Sequence, residues 1–267
     1  MSEFDQATRV TAVGDGTYRA EIAAGWDIAG NANGGYLMAL AARAMGDAVG
    51  RPPLSLTAHY LAPGRVGPVE IEVDTVRAGR RMGVVRATVR GVDGPVMALL
   101  GTFSEQPPAE QAGPSVVTAA PPEVPPIEEC RRSGPPAAAG LSGFGDRVVC
   151  RYHPDDVGFQ EGAPSGTALA RGWFEFADGS PVDAYGLLVA TDAFAPVCFQ
   201  VPEFPVSWSP TLELTAHIRE RPVPGPLRVR FSSRFIQNGM FEEDGEVWDS
   251  RGVLVALSRQ IALVPRV

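Results

Sequence analysis

The feature that most constrains this chain is an internal repeat at a fixed offset of 158 positions. The segment 56–59, Leu-Thr-Ala-His, recurs unchanged at 214–217. Keeping the same offset without a gap gives eleven identities between 56–102 and 214–260. Outside the four-residue match, the first copy supplies Gly67, Pro68, Met82, Val89, Gly94, Ala98 and Leu99. A constant offset over this length indicates a duplication. We therefore predict two similar units in tandem.

The two copies share one order of elements: a short strand, an apolar helix, then long strands. In the first copy the helix is expected from Gly34 to about Val49. It has no polar residue from Tyr36 until Arg43, so it must be buried on most sides. In the second copy we expect the helix over 181–194, because Pro181 and an aspartate two residues later are start signals.

The strands of both copies alternate apolar and charged residues. Residues 69–73 and their counterparts 227–231 both follow this pattern, which is typical of half-buried antiparallel strands. Antiparallel strands that curl around an apolar helix predict an α+β chain. We interpret it as a double hot-dog, two tandem repeats in which a curved antiparallel sheet wraps a long central helix.

Domain boundaries follow from the repeat and from proline content. Residues 106–145 hold nine prolines and many alanines, which predicts an irregular connector. We therefore expect an N-terminal hot-dog domain over 1–105, a connector over 106–145 and a C-terminal hot-dog domain over 146–267.

Composition excludes several classes of function. The formal net charge of -8 disfavours non-specific nucleic-acid binding. The chain has no lysine, which excludes Schiff-base chemistry and a phosphate-loop lysine. Cys130, Cys150 and Cys198 lack a Cys-x-x-Cys spacing and are expected to be free thiols. With no signal-peptide pattern and no long apolar run, we expect a cytoplasmic protein that does not insert into membranes.

Two polar residues stand out against apolar surroundings. Asp192 ends the second apolar helix, where the negative end of the helix dipole and burial would raise its pKa. The alternative is an exposed aspartate at a fraying helix end. Gln260 interrupts an apolar strand, either facing inward with hydrogen-bond partners or lying on the polar face. His59 and His217 are equivalent strand positions, and a structural role is favoured for both.

Two segments carry a resemblance to a known family. Trp26-Asp27-Ile28 followed by Asn33-Gly34-Gly35-Tyr36-Leu37 is similar to a helix-entry motif, and Gly252–Gln260 fits the pattern Gly-x-Leu-Val-Ala-x-x-x-Gln. Both are found in the acyl-CoA thioesterase II (TesB-like) family, whose members are double hot-dogs. The chain resembles this family over nearly its whole length, more loosely in the connector.

The resemblance implies an active site. An aspartate, a Thr/Ser and a glutamine hold the hydrolytic water in that family, and they match Asp192, Thr211 and Gln260. The family often has Asp-His after that threonine where this chain has Glu-Leu, so a shift to Thr215 stays open.

The same chemistry needs a site for the oxyanion and a partner for the CoA phosphates. Backbone N–H groups of Gly34 and Gly35, at the start of the first helix, are expected to bind the oxyanion, and the alternative is that the two glycines serve tight packing of the helix on the sheet. Arginines at 77, 80, 81, 219 and 221 suit CoA phosphates, although a solvated turn is favoured for them.

The sequence thus predicts a homo-oligomeric thioester hydrolase that acts on acyl-CoA by direct water attack, without metal or cofactor. The alternatives are a non-catalytic acyl-CoA or lipid-binding protein and an enoyl-CoA hydratase-like enzyme. The hydratase would need a closely spaced aspartate and histidine after the helix, which the chain lacks.

Overall fold

The computed structural model describes residues 1–105, 114–132 and 143–265. Its helices are α1 (Glu3–Ala7), α2 (Gly34–Val49), α3 (Phe144–Arg147) and α4 (Gly186–Ala190), with short 3-10 turns at Pro154–Asp156, Gly158–Glu161 and Val197–Gln200. Its strands are β1 (Thr11–Gly14), β2 (Thr17–Ile22), β3 (Asp27–Ile28), β4 (Asn31–Ala32), β5 (Pro53–Tyr60), β6 (Gly67–Ala78), β7 (Met82–Gly91), β8 (Gly94–Ser104), β9 (Arg131–Arg132), β10 (Val148–Tyr152), β11 (Leu169–Phe176), β12 (Thr211–Ile218), β13 (Leu227–Ser232), β14 (Ile236–Gln237), β15 (Met240–Trp248) and β16 (Leu254–Leu263).

Fourteen of these strands form one antiparallel sheet. Its order is β1-β2-β6-β7-β8-β5-β12-β16-β15-β13-β11-β10-β9, with β14 paired to β15, while β3 and β4 form a separate pair. From the central β5–β12 pair outward, the first half continues β8-β7-β6-β2 and the second β16-β15-β13-β11. Sequence-equivalent strands therefore occupy equivalent places on the two sides.

The central pair has a symmetric register. Thr57 lies opposite Thr215, and their hydroxyl oxygens are 2.9 Å apart. Because these two residues are also 158 positions apart, a local twofold axis passes between them.

Helix α2 forms as the sequence predicts. Eleven of its sixteen residues are buried. Asn33 caps the start by accepting from the N–H of Tyr36, and Gly50 ends the helix in the left-handed conformation with φ of 64°. Arg43, the first polar residue of the helix body, forms ion pairs with Asp5 and Asp183.

The predicted helix over 181–194 is wrong in extent, because α4 covers only Gly186–Ala190. The carboxylate of Asp183 accepts from the N–H groups of the residues at 185 and 186, as an N-cap does, so helical structure follows Asp183 and does not include Pro181. At the other end, the carbonyl of Asp192 accepts from the side chain of Asn33 instead of continuing the helix. The apolar character of 187–190 reflects burial against α2 rather than helix length.

The predicted connector is described only in part, since 106–113 and 133–142 lie outside the described residues. Residues 114–130 contain no helix or strand. They contact the second half of the sheet, where Nε1 of Trp173 donates to the carbonyl of Pro125 at 2.9 Å. Within the described ranges, no helix combines the length and hydropathy needed to cross a lipid bilayer.

Candidate active site

A cavity of about 820 Å³ opens where the start of α2 meets the end of α4. Strands β5, β12, β15 and β16 complete its wall. Four of the predicted site residues line it: Gly34, Asp192, Thr211 and Gln260. They come from both halves of the chain, and Gly34 and Gln260 are 226 positions apart. Only the fold brings them to one cavity.

Much of the cavity wall is aromatic. The rings of Tyr152 and Phe194 lie 4.5 Å apart between centroids, and those of Phe159 and Phe199 lie 6.1 Å apart. The wall also contains Phe241, Trp208, Leu37, Val148, Val206, Leu212 and Ala262. Such a surface suits an apolar ligand chain.

The carboxylate of Asp192 is held by the residues that begin α2. Its Oδ2 accepts from the N–H of Gly35 at 2.8 Å and from Nδ2 of Asn33 at 3.0 Å. Nδ2 of Asn33 also donates to the main-chain carbonyl of Asp192 at 2.9 Å. The carboxylate therefore has a fixed orientation at the cavity wall.

Burial raises the pKa of Asp192 to about 6, although hydrogen bonds from Gly35, Asn33 and Gly34 act in the opposite direction. The predicted direction of the pKa shift is confirmed. The prediction named the negative end of the second helix, whereas the carboxylate also meets the positive N-terminal end of α2, which favours its charged form. Desolvation is therefore the cause of the upward shift.

The oxyanion role expected for Gly35 does not fit this geometry. Its N–H already donates to Asp192, and Gly35 itself does not line the cavity. A Cβ at this position would stand 2.5 Å from the carbonyl oxygen of Leu188 and 2.9 Å from Cβ of Asp192. Glycine is required here so that α2 and α4 can pack closely.

Thr211 reaches the cavity because β12 contains a bulge. The pairing with β16 shifts register between Thr211 and Glu213, which turns Thr211 inward and leaves Leu212 exposed. The hydroxyl of Thr211 donates to Oε1 of Gln260 at 2.8 Å. Thr215 instead bonds to Glu213 and Thr57 and does not line the cavity.

Gln260 faces inward on β16 and is 6% exposed. Besides accepting from Thr211, it donates through Nε2 to Oε1 of Glu243 at 2.7 Å. Glu243 lies directly opposite on β15, and its Oε2 accepts from the N–H of Val197 at 2.8 Å. The amide of Gln260 is thus fixed at both ends.

Glu243 is a buried acid that the sequence analysis missed. Burial raises its pKa to about 7, against hydrogen bonds from Val197 and Gln260, and the charge of Asp192 adds to the rise. Alternation could have revealed it, because Phe241, Glu243, Gly245 and Val247 share the inward face of β15. Asn33 was placed in the helix-entry motif, but nothing local indicated its contact with Asp192.

The other sequence candidates lie elsewhere. His59 and His217 are exposed and do not line the cavity. None of the arginines at 77, 80, 81, 219 and 221 lines it either, whereas Arg132 does.

Solved structures place this arrangement among hot-dog proteins. A protein of unknown function with a hot-dog fold from Alicyclobacillus acidocaldarius superposes with a TM-score of 0.87 at 22% identity, covering 100% of this chain and 99% of its own. A proposed thioesterase II from Thermobifida fusca YX has a TM-score of 0.90 at 32% identity, covering 100% and 98%. The fold is therefore a hot-dog fold, α+β with a mostly antiparallel sheet.

Family models give the finer assignment. The model of the acyl-CoA thioesterase N-terminal domain matches residues 22–104, and that of the C-terminal domain matches 121–264. The chain belongs to the acyl-CoA thioesterase family, with TesB-like thioesterase II proteins among its structural neighbours. Uncharacterized proteins of Mycobacterium tuberculosis and Mycobacterium bovis are 27% identical over 93% of this chain and 91% of theirs.

Proposed function

We propose that this protein hydrolyses an acyl-CoA thioester to a free acid and CoA by direct attack of water. We propose further that it is built as a double hot-dog, with domains over 1–105 and 146–267. The observation that supports the function best is that Asp192 and the hydrogen-bonded Thr211–Gln260 pair line the same apolar cavity. The cytoplasmic location and the homo-oligomer stay predictions.

Asp192 is the proposed base. A carboxylate with a pKa of about 6 is charged at neutral pH and still basic enough to accept a proton from water. The water oxygen forms a bond to the thioester carbon, and the carbonyl π electrons move to oxygen. When the tetrahedral intermediate collapses, the C–S bond breaks and the proton held by Asp192 goes to the sulfur of CoA.

Thr211 and Gln260 are proposed to position the water. The Thr211 hydroxyl oxygen can accept a hydrogen bond from water while its O–H donates to Oε1 of Gln260. Because Gln260 is anchored by Glu243, the pair forms a rigid polar edge.

Gly34 and Gly35 are proposed to have different roles in the site. Gly35 holds the carboxylate of Asp192 through its N–H. Gly34 keeps space for the thioester, since a Cβ on it would stand 2.9 Å from the hydroxyl of Tyr60 and 3.0 Å from Oδ2 of Asp192.

The test measures the release of CoA from a panel of acyl-CoA thioesters, from acetyl to palmitoyl, with a reagent that detects free thiols. Turnover of any member without a burst or an acylated protein in the mass spectrum supports the proposal. Saturable binding of acyl-CoA without turnover would favour the non-catalytic protein instead. Loss of an enoyl-CoA double bond without thiol release would favour a hydratase, although no histidine is among the described residues that line the cavity.

A further inference from the structure

The site contains one polar group that has no role in the scheme above. Tyr60 is the last residue of β5, and alternation with the buried Leu56 and Ala58 directs its side chain to the inner face of the sheet. The residue is half-buried and lines the cavity. It projects towards the start of α2, beside Gly34.

The hydroxyl of Tyr60 is buried and has no hydrogen-bond partner among the described residues. Leaving such a group unpaired costs about 1–3 kcal/mol, so buried hydroxyls normally have partners. Tyr60 lines the cavity, so a ligand bound there is the partner that we consider for its hydroxyl. Phenylalanine would fill the same space without that cost, which indicates that the hydroxyl is retained for a ligand.

The position of this hydroxyl relative to Asp192 is informative. Both groups lie about 3 Å from the point that a Cβ on Gly34 would occupy, so they stand within about 6 Å of each other across that gap. A thioester carbon that lies against Gly34, on the cavity side of both groups, could receive water from the Asp192 side while its oxygen points to Tyr60. This spacing suits one reacting carbonyl.

The protonation state of Tyr60 also fits a donor. Burial and the nearby carboxylates of Asp192 and Glu213 hold the pKa of Tyr60 well above its usual value. The phenol therefore keeps its proton at every pH at which Asp192 is a base. It can donate a hydrogen bond but cannot compete as a second base.

We propose that Tyr60 is a catalytic residue whose hydroxyl donates a hydrogen bond to the carbonyl oxygen of the thioester. This inference rests on the proposed function and names the donor that Gly35 cannot supply. As water attacks, negative charge builds on that oxygen and the hydrogen bond strengthens. No proton is transferred from Tyr60: as the C–S bond breaks, the electron pair on oxygen re-forms the C=O bond and the C–S bonding pair leaves with the sulfur, which takes the proton from Asp192.

Only the first copy of the repeat carries a tyrosine at this position. The position equivalent to Tyr60 at the 158 offset is Ile218, which is buried. Likewise Thr102 stands where the second copy has Gln260. The donor from the first copy and the base from the second thus belong to the same single cavity.

The test compares Tyr60→Phe with Tyr18→Phe, in which the lost hydroxyl bonded Asp47 outside the cavity. We expect kcat to fall about 100-fold in Tyr60→Phe, with an unchanged acidic limb of the pH profile because Asp192 is intact. Tyr18→Phe should keep the wild-type kcat. A Tyr60→Phe enzyme with wild-type kcat would overturn the proposal.

A second measurement does not depend on turnover. A ketone analogue of acyl-CoA, with a CH2 between sulfur and a 13C-labelled carbonyl, reports the hydrogen bond through its infrared stretch. We expect a lower stretching frequency in wild type than in Tyr60→Phe. Equal frequencies would reject Tyr60 as the donor even in an active enzyme, whereas a shift in a protein without hydrolysis would reject the proposed function and keep the donor.

Discussion

Asn33 and Asp192 are joined by two hydrogen bonds from a single amide nitrogen, one to the carboxylate and one to the main-chain carbonyl. The other end of the Asn33 side chain caps α2 by accepting from the N–H of Tyr36. One residue therefore fixes both the first turn of the buried helix and the orientation of the proposed base. The geometry of the site is coupled in this way to the packing of α2 on α4.

Replacing Asp192 by asparagine should abolish most of the turnover. The change keeps the size of the side chain but removes the base, so we expect kcat to fall about 100-fold or more. In wild type, activity should fall as the pH drops through about 6, where the carboxylate becomes protonated. Asp192→Asn should lack this limb. Full activity in this variant would remove Asp192 from the mechanism, and Asp155→Asn, at an exposed position, is the control.

Asn33→Asp should move the acidic limb to higher pH. The new carboxylate can still cap α2, but it replaces a donor to Asp192 by a like charge, which raises the pKa of Asp192. We expect a shift of about one pH unit in the profile of kcat/KM. A profile shifted to lower pH, or not at all, would show that Asn33 does not control this pKa. Asn238→Asp, in an exposed turn, is the matched control.

Thr211→Val and Gln260→Ala should lower kcat more than they weaken the binding of a ketone analogue of acyl-CoA. Both residues are proposed to contact water rather than the ligand, so their contribution appears in the transition state. We expect losses of about tenfold or more. Thr215→Val is the comparison, because Thr215 does not line the cavity. A larger loss of kcat in Thr215→Val than in Thr211→Val would reverse the assignment.

Gly35→Ala should destabilise the protein as well as inactivate it. The added Cβ would overlap the carbonyl of Leu188 and force α2 away from α4. We expect the free energy of unfolding to fall by about 1–3 kcal/mol in urea titrations. In Gly91→Ala the added Cβ would make only an ordinary 3.5 Å contact, so this variant should stay near wild type. Equal stability of the two variants would contradict the close-packing role of Gly35.

Glu243→Gln should change how stability depends on pH. Burial raises the folded pKa of Glu243 from 4.5 to about 7, so folding favours its protonated form. For this group the free energy of unfolding is highest below about pH 4.5 and falls as the pH rises through about 7. Glutamine cannot ionise, so the stability of the variant relative to wild type should rise from pH 5 to pH 8 by on the order of 1 kcal/mol or more.

Urea denaturation at the two pH values measures this difference. Glu242→Gln is the control, because Glu242 faces the other side of β15. If the stability difference between Glu243→Gln and wild type were the same at pH 5 and pH 8, Glu243 would not be a buried group with a raised pKa.

The sequence predicted those parts of the fold that local pattern determines. The bounds of α2 followed from its apolar run after Gly34, whereas the sequence left open whether Gln260 faces inward or lies on the polar face of its strand. The extent of the second helix did not follow from its apolar run. A side-chain contact of Asp183 precedes the helix, and a contact with Asn33, from the other half of the chain, follows it.

The site was predicted less completely than the fold. Thr211 depends on a bulge, and no pattern in 211–213 distinguishes a bulged strand from a regular one. The contacts of Asp192 join residues 159 positions apart, which local sequence cannot show. Tyr60 looks like any aromatic residue at a strand end until the cavity is seen around its hydroxyl.

The local twofold axis between Thr57 and Thr215 has a consequence for how such a site can change. In an assembly of two identical chains, every mutation is made twice, once in each partner. Here the two mates are encoded separately, so one position can carry tyrosine while its mate at 218 carries isoleucine. Mutagenesis can therefore change Tyr60 in the cavity without changing its mate Ile218, which does not line the cavity.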